Sequence, residues 1–246
     1  MDKKISAAMT EFSARLKEVF ADDLLAIVLY GSAAGDSYRA GVSDINVLVI
    51  MENSSAAKIF ALGRLVKTLL RKYRISPFMM TREEFTTAAD VFPLEYCDIL
   101  DAHTLVYGNK EILAITVNRE NLRYQLEEKL RGAVGDIRAM LLSAGGNEKL
   151  LGKLILDWSG IGGVLLRGLL RLKGKNVSSL DAGAVLAAVA KEYGIPLEGL
   201  SSLNRLRQSK KSNPLAAAAL ADTLLEPLKA LTRAVDTMDG GLAWLV

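Results

Sequence analysis

After Arg119 the sequence carries no segment patterned as a strand, whereas the residues before it alternate between helix and strand patterns. That switch limits the chain to a mixed α/β part followed by an all-helical part. From Arg119 onward, Leu122, Leu126, Leu130, Val134, Ile137 and Leu141 recur at helical spacing and form one apolar stripe. Further helices are predicted over about Lys149 to Leu172, Asp181 to Tyr193, Leu197 to Arg207 and Pro214 to Met238. Breakers separate them at Gly145-Gly146, Gly174, Gly194-Ile195-Pro196 and Asn213-Pro214. Short loops between helices of this length predict an antiparallel bundle. Gly152, Gly160, Gly163 and Gly168 fall inside one predicted helix, where they cost stability unless close helix–helix approach uses them.

The first half begins with an amphipathic helix marked by Ile5, Met9, Phe12, Leu16 and Phe20. Leu24 to Tyr30 is a continuous apolar run ending at Gly31, short enough for a strand buried on both faces. Asp44 to Met51 is a second such run, and Ser32 to Gly41 between them reads as a tight turn with a short helix. Ile59, Leu62, Val66, Leu69 and Tyr73 mark a second helix, with Lys58, Arg64, Lys67 and Arg71 on its wet side. Ile75 to Met80 is predicted as a third strand, placed at an edge or a bulge by Pro77. Tyr96 to Val106 reads as one or two more. The fold class is therefore an α/β (α+β) N-terminal domain with a mixed sheet over residues 1–115, then an all-α bundle over residues 119–246.

Half of the 246 residues are hydrophobic and only five are proline, so the chain has no compositional case for disorder. Its net charge is +3: 13 basic against 15 acidic residues before position 118, and 18 against 13 after it. The basic residues of the second half are spread over helices and form no run, so a nucleic-acid partner is unsupported. Cys97 is the single cysteine, which excludes an intramolecular disulfide and fits a reducing cytoplasm. No signal peptide is expected, because Glu11, Arg15 and Lys17 interrupt any apolar core. The apolar stretch around Leu150 to Leu172 is punctuated by Lys153, Asp157, Arg167 and Arg171, too often for a membrane span of roughly 20 residues.

The segment that carries chemistry is Leu29-Tyr30-Gly31-Ser32, then Gly35, then Ser43-Asp44-Ile45-Asn46-Val47-Leu48-Val49. It resembles the signature of the DNA polymerase beta-type nucleotidyltransferase superfamily: Gly-Ser, a spacer of about ten residues, then Asp-x-Asp on a strand. Phe92-Pro93-Leu94-Glu95, Asp98-Ile99 and Leu105-Val106-Tyr107-Gly108 resemble the segment that follows the core in small bacterial members. The helical C-terminus is similar in architecture to the substrate-binding bundle of the kanamycin nucleotidyltransferase group.

The resemblance implies that Gly31 and Ser32 hold the triphosphate of an NTP, with ATP the expected one. Physical chemistry agrees, since a glycine lets backbone pass close to a ligand and a helix N-terminus attracts anions. It also implies that Asp44 and Asn46, two apart and roughly 7 Å along a strand, stand where the family binds Mg²⁺ or Mn²⁺. Two metal ions need several carboxylates, and here the sequence departs from the pattern. Asn46 offers a neutral oxygen, and the strand Ile75 to Met80, where the family's third carboxylate is expected, holds none. Glu95 and Asp98 are the nearest substitutes, and on a strand their odd and even positions would let only one reach the site.

The function so implied is transfer of a nucleoside monophosphate from NTP to a small-molecule or protein hydroxyl. The alternative is a catalytically degenerate nucleotide-binding or protein-interaction module of the same fold. A homodimer is left open. The group's general base comes from the helical part, which makes Glu127 or Glu128 worth naming. Even so, Arg123, Glu127 and Arg131, four apart, read better as a solvated ion-pair ladder. Single His103 lacks partners at zinc-ligand spacing and reads as an ordinary polar residue.

Overall fold

The computed structural model describes residues 2–35, 38, 43–158, 162–177, 180–209, 216–238 and 244–245. The predicted breaker Asn213-Pro214, Gly160 and most of the turn after Gly35 lie outside them. Residues up to Val117 form one compact unit and those from Asn118 another.

The first unit is built on a four-stranded sheet of order β3-β2-β1-β4. Its strands are β1 (Leu24–Tyr30), β2 (Ile45–Met51), β3 (Ile75–Thr81) and β4 (His103–Gly108). β1 pairs antiparallel with β2 and β4, whereas β2 and β3 run parallel, joined by helix α2 (Ala56–Tyr73). The sheet is mixed, as the sequence predicts. β3 sits at an edge, which is where Pro77 can lack an N–H without breaking a ladder.

Helix α1 (Lys3–Phe20), N-capped by Asp2, packs with α2 over one face of the sheet. Alternate strand residues Ile27, Leu29, Ile45, Val47 and Val49 join Phe12, Leu16, Leu62 and Val66 in that core. Of the predicted α2 stripe, Leu62, Val66 and Leu69 are buried, while Ile59 is 40% exposed.

A correction concerns the segment after β3. Short helix α3 (Arg82–Thr87) opens on a capping box between Thr81 and Glu84. Helix α4 (Pro93–Asp101) then takes up residues predicted as strand, with Pro93 in its first turn. Leu94, Tyr96, Cys97, Asp98 and Ile99 are all buried, so the apolar run has neither strand alternation nor a clear helical stripe, and periodicity misassigns it. Tyr96 stacks on Phe85 at 4.9 Å between centroids and donates to the Phe85 carbonyl at 2.6 Å, locking α4 to α3.

The second unit is helical: α5 (Arg119–Ala144), α6 (Glu148–Asp157), α7 (Gly163–Leu172), α8 (Ala182–Tyr193), α9 (Glu198–Ser209) and α10 (Ala217–Asp236). The predicted single helix from Lys149 to Leu172 is two helices, so its glycines do not share one element. A two-residue strand, β6 (Trp244–Leu245), is a small exception to an all-α second half, and β5 (Val117–Asn118) precedes α5. Breakers act as predicted at Gly145 and Gly194, left-handed C-caps of α5 and α8.

Pro227 inside α10 withholds the N–H that the Thr223 carbonyl would accept in a regular helix. Gly199 of α9 packs there: a β-carbon on it would lie 2.3 Å from that carbonyl oxygen. Among the described residues, no helix is long and apolar enough to cross a membrane.

Candidate active site

The motif residues gather at one end of the four-stranded sheet, where β1 ends and β2 and β3 begin. Gly31 follows β1 with φ +69°, a left-handed conformation that disfavours any side chain. Its N–H donates to the Ala102 carbonyl at 2.9 Å, and its own carbonyl accepts from Ala34 and Gly35, closing a tight turn over Gly31–Ala33. Ser32, half-buried in that turn, has its backbone at the head of a short 3-10 segment.

Asn46 stands across the ladder from Tyr30, and a β-carbon on Gly31 would lie 3.4 Å from its Nδ2. Glycine turn and Asn46 are thus in contact range. Asp44 lies just before β2 and is exposed, and its Oδ1 accepts from Arg74 Nε at 2.9 Å. Arg74, between α2 and β3, has φ +56° and accepts at its carbonyl from Ile45 N–H at 2.9 Å. The parallel register sets Ser76 beside Asn46 and Phe78 beside Leu48, so the neighbouring strand offers a hydroxyl and a ring where a third carboxylate was sought.

Glu95 and Asp98 belong to α4, not to a strand. Three positions apart on a helix, they share a face, which reverses the expectation that only one could reach one place. Asp98 is buried and Glu95 half-buried. The hydroxyl of Tyr30 feels both: burial first, then Asp98, then Glu95 push its pKa up to about 12, so it stays a neutral phenol. Both carboxylates thus act electrostatically on Tyr30, one residue before the glycine turn. Among the described residues, no three His, Cys, Asp or Glu side chains come together to hold a metal ion. The donors present do not fit a two-metal centre. Asp44 contributes one carboxylate already bound to a guanidinium, and Asn46 and Ser76 are neutral.

In the second unit, Glu127 accepts from Arg131 at 2.7 Å and from Arg123 at 3.1 Å. Arg123 is buried, so the ladder is less solvated than its spacing suggests. Hydrogen bonds from Arg131, then Arg123, hold the Glu127 carboxyl below its ordinary range, which makes it a poor base. Glu128 pairs with Lys129 on the surface. His103 Nδ1 lies 2.9 Å from the Ile99 carbonyl, a structural contact. Cys97 is buried on α4.

Sequence reasoning missed Arg74 and Tyr30. A charged residue between the last helical position and the first strand position was the signal for Arg74. Tyr30 was hidden because it ends an otherwise apolar run.

No family model matches the chain. A candidate protein adenylyltransferase of Methanocaldococcus jannaschii is 29% identical over 111 residues, covering 43% of this chain and 74% of the relative. The crystal structure of spectinomycin adenyltransferase AAD(9) from Enterococcus faecialis, with ATP and spectinomycin, superposes with a TM-score of 0.60 at 12% identity. That match covers 94% of this chain and 99% of the other. With the glycine turn and Asp44 at one sheet end, an edge strand in parallel register and a helical second half, the chain shares the fold of that adenyltransferase and is similar in sequence to the archaeal relative.

Proposed function

We propose that the protein transfers a nucleoside monophosphate from an NTP, with ATP as donor, to a hydroxyl of a small molecule or a protein. The observation that carries this reading is the Gly31-Ser32 turn held beside Asn46, at the sheet end where Asp44 also lies. The names of the two related proteins, both adenylyl-transferring, support ATP over other nucleotides. In the reaction the acceptor oxygen bonds to the α-phosphorus, the bond from that phosphorus to the bridging oxygen breaks, and pyrophosphate leaves. The hydroxyl proton passes to water. Gly31 admits the triphosphate to the backbone, and Ser32 supplies an N–H and a hydroxyl to phosphate oxygens. A bound Mg²⁺ would offset phosphate charge, but only Asp44 and the Asn46 carbonyl stand ready for it.

On this reading, residues 1–115 form the nucleotide-binding domain and residues 119–246 shape the acceptor site. A cytoplasmic setting, where ATP is abundant, suits it, and a homodimer is compatible with it. A thermal-shift panel of the four common NTPs tests it. A ligand at a hundred times its Kd stabilises the native state by about 2.7 kcal/mol. For a chain of this size that raises Tm by roughly 5–11 °C. ATP at millimolar concentration should produce such a rise. Absence of a shift with any NTP, with or without Mg²⁺, would remove the basis of the proposal.

A further inference from the structure

Arg74 occupies an unusual place. Its guanidinium lies on Asp44, the one carboxylate of the motif that remains, at 2.9 Å. It uses only Nε for that contact, and no other ion pair or hydrogen bond of its guanidinium is present among the described residues. Both side chains are about half exposed, 49% for Arg74 and 54% for Asp44, so a ligand can reach them. Arg74 also keeps a left-handed backbone, φ +56°, where glycine or asparagine is the usual choice. Its carbonyl is tied to the first N–H of β2, which fixes it at the sheet end that carries the glycine turn. Meanwhile Asn46 and Ser76 remove the charges that would hold metal ions there.

We propose that Arg74, oriented by Asp44, supplies the positive charge for the triphosphate, so that nucleotide binding at this site does not depend on a divalent metal. A guanidinium suits this role because it stays charged, and its two terminal nitrogens present a fork that matches two phosphate oxygens. Asp44 thereby becomes a positioning residue for a cationic side chain. The inference rests on the nucleotide-binding reading above and adds to it how the charge is met.

The structure supplies an internal control. Arg82 and Glu52 form a like pair at 3.0 Å, half exposed, after the opposite ends of β3 and β2. The test is titration of ATP, followed by calorimetry, into the full chain in EDTA and in Mg²⁺, with adenosine as the phosphate-free probe. Wild type should bind ATP in EDTA within about threefold of its affinity in Mg²⁺, and Arg74→Gly should weaken ATP by about tenfold or more while leaving adenosine unchanged. Glycine suits a left-handed position, so Arg74→Gly keeps the fold, which its Tm verifies. Arg74→Lys should recover part of the affinity, and Arg82→Gln should change nothing. ATP binding that requires Mg²⁺, with Arg74→Gly equal to or tighter than wild type, would overturn this inference and leave the nucleotide reading standing. No ATP binding in either buffer would overturn both.

Discussion

Gly108→Ala should unfold the N-terminal unit, or leave it at the margin of stability. Gly108 ends β4 opposite Ala26 of the central strand β1, with φ +98°. A β-carbon there would lie 2.0 Å from the Leu25 carbonyl oxygen and 2.9 Å from the Ala26 Cα. Both contacts are to backbone of a strand paired on its two sides, which cannot swing away as a flexible side chain would. Backbone strain of about 1–3 kcal/mol adds to overpacking of about 1–3 kcal/mol, giving a cost of roughly 4 kcal/mol. Against a domain stability of about 5–15 kcal/mol, that is a large fraction. Circular dichroism melts should show a drop in Tm of roughly 10 °C or more. Gly145→Ala is the comparison: its left-handed φ is +52°, yet nothing lies within 4 Å of a β-carbon there. Its penalty should be confined to about 1 kcal/mol of conformational strain. Equal, small losses in the two variants would show that the β1–β4 edge yields to accommodate the methyl group.

Asn46→Asp should turn a site nearly indifferent to metal into one that depends on it. The change is almost isosteric, and it places a second carboxylate two positions from Asp44 on the path toward the glycine turn. Without a cation the two like charges repel, and the new carboxylate, half-buried at position 46, would lose hydration. Tm in EDTA should therefore fall by a few degrees, on the order of 1 kcal/mol. Adding Mg²⁺ should restore it, since hard cations take carboxylate oxygens in preference to amides. ATP affinity should then rise by about tenfold on going from EDTA to Mg²⁺, against little change for wild type. Nucleotide transfer should rise in the same direction. A variant that melts and binds ATP identically in both buffers would mean that position 46 does not face the phosphates.

The parts of this molecule that were legible in the sequence are those where one physical signal dominates. The β1 run Leu24–Tyr30 and the edge placement of Pro77 follow from burial and from a missing donor. The helical second half follows from period and breakers, and the place of Gly31 from the end of the apolar run that forms β1. Where two signals coincide, the reading fails. Residues 93–101 are buried on most sides, so helix and strand patterns look alike, and Glu95 and Asp98 were given the wrong geometry. The break of the long helix into α6 and α7 follows no proline, only the cluster around Gly162 and Gly163. Of the candidate site, spacing picks out the turn and Asp44, which the structure sets at one end of the sheet. The partnership of Asp44 with Arg74 depends on a parallel pairing of β2 with β3 that sequence spacing cannot express.

The central claim is that this protein cleaves ATP between its α- and β-phosphates in order to pass AMP to a hydroxyl. Phosphorus NMR of ATP incubated with the protein and a pool of hydroxyl-bearing small molecules and proteins tests it most directly. The expected products are pyrophosphate together with AMP or an adenylylated acceptor, and both should be lost in Gly31→Val. A valine there meets a left-handed φ of +69° and the Asn46 side chain, and would obstruct the approach of phosphate to the backbone. Release of ADP and orthophosphate, or pyrophosphate release that Gly31→Val leaves untouched, would contradict it.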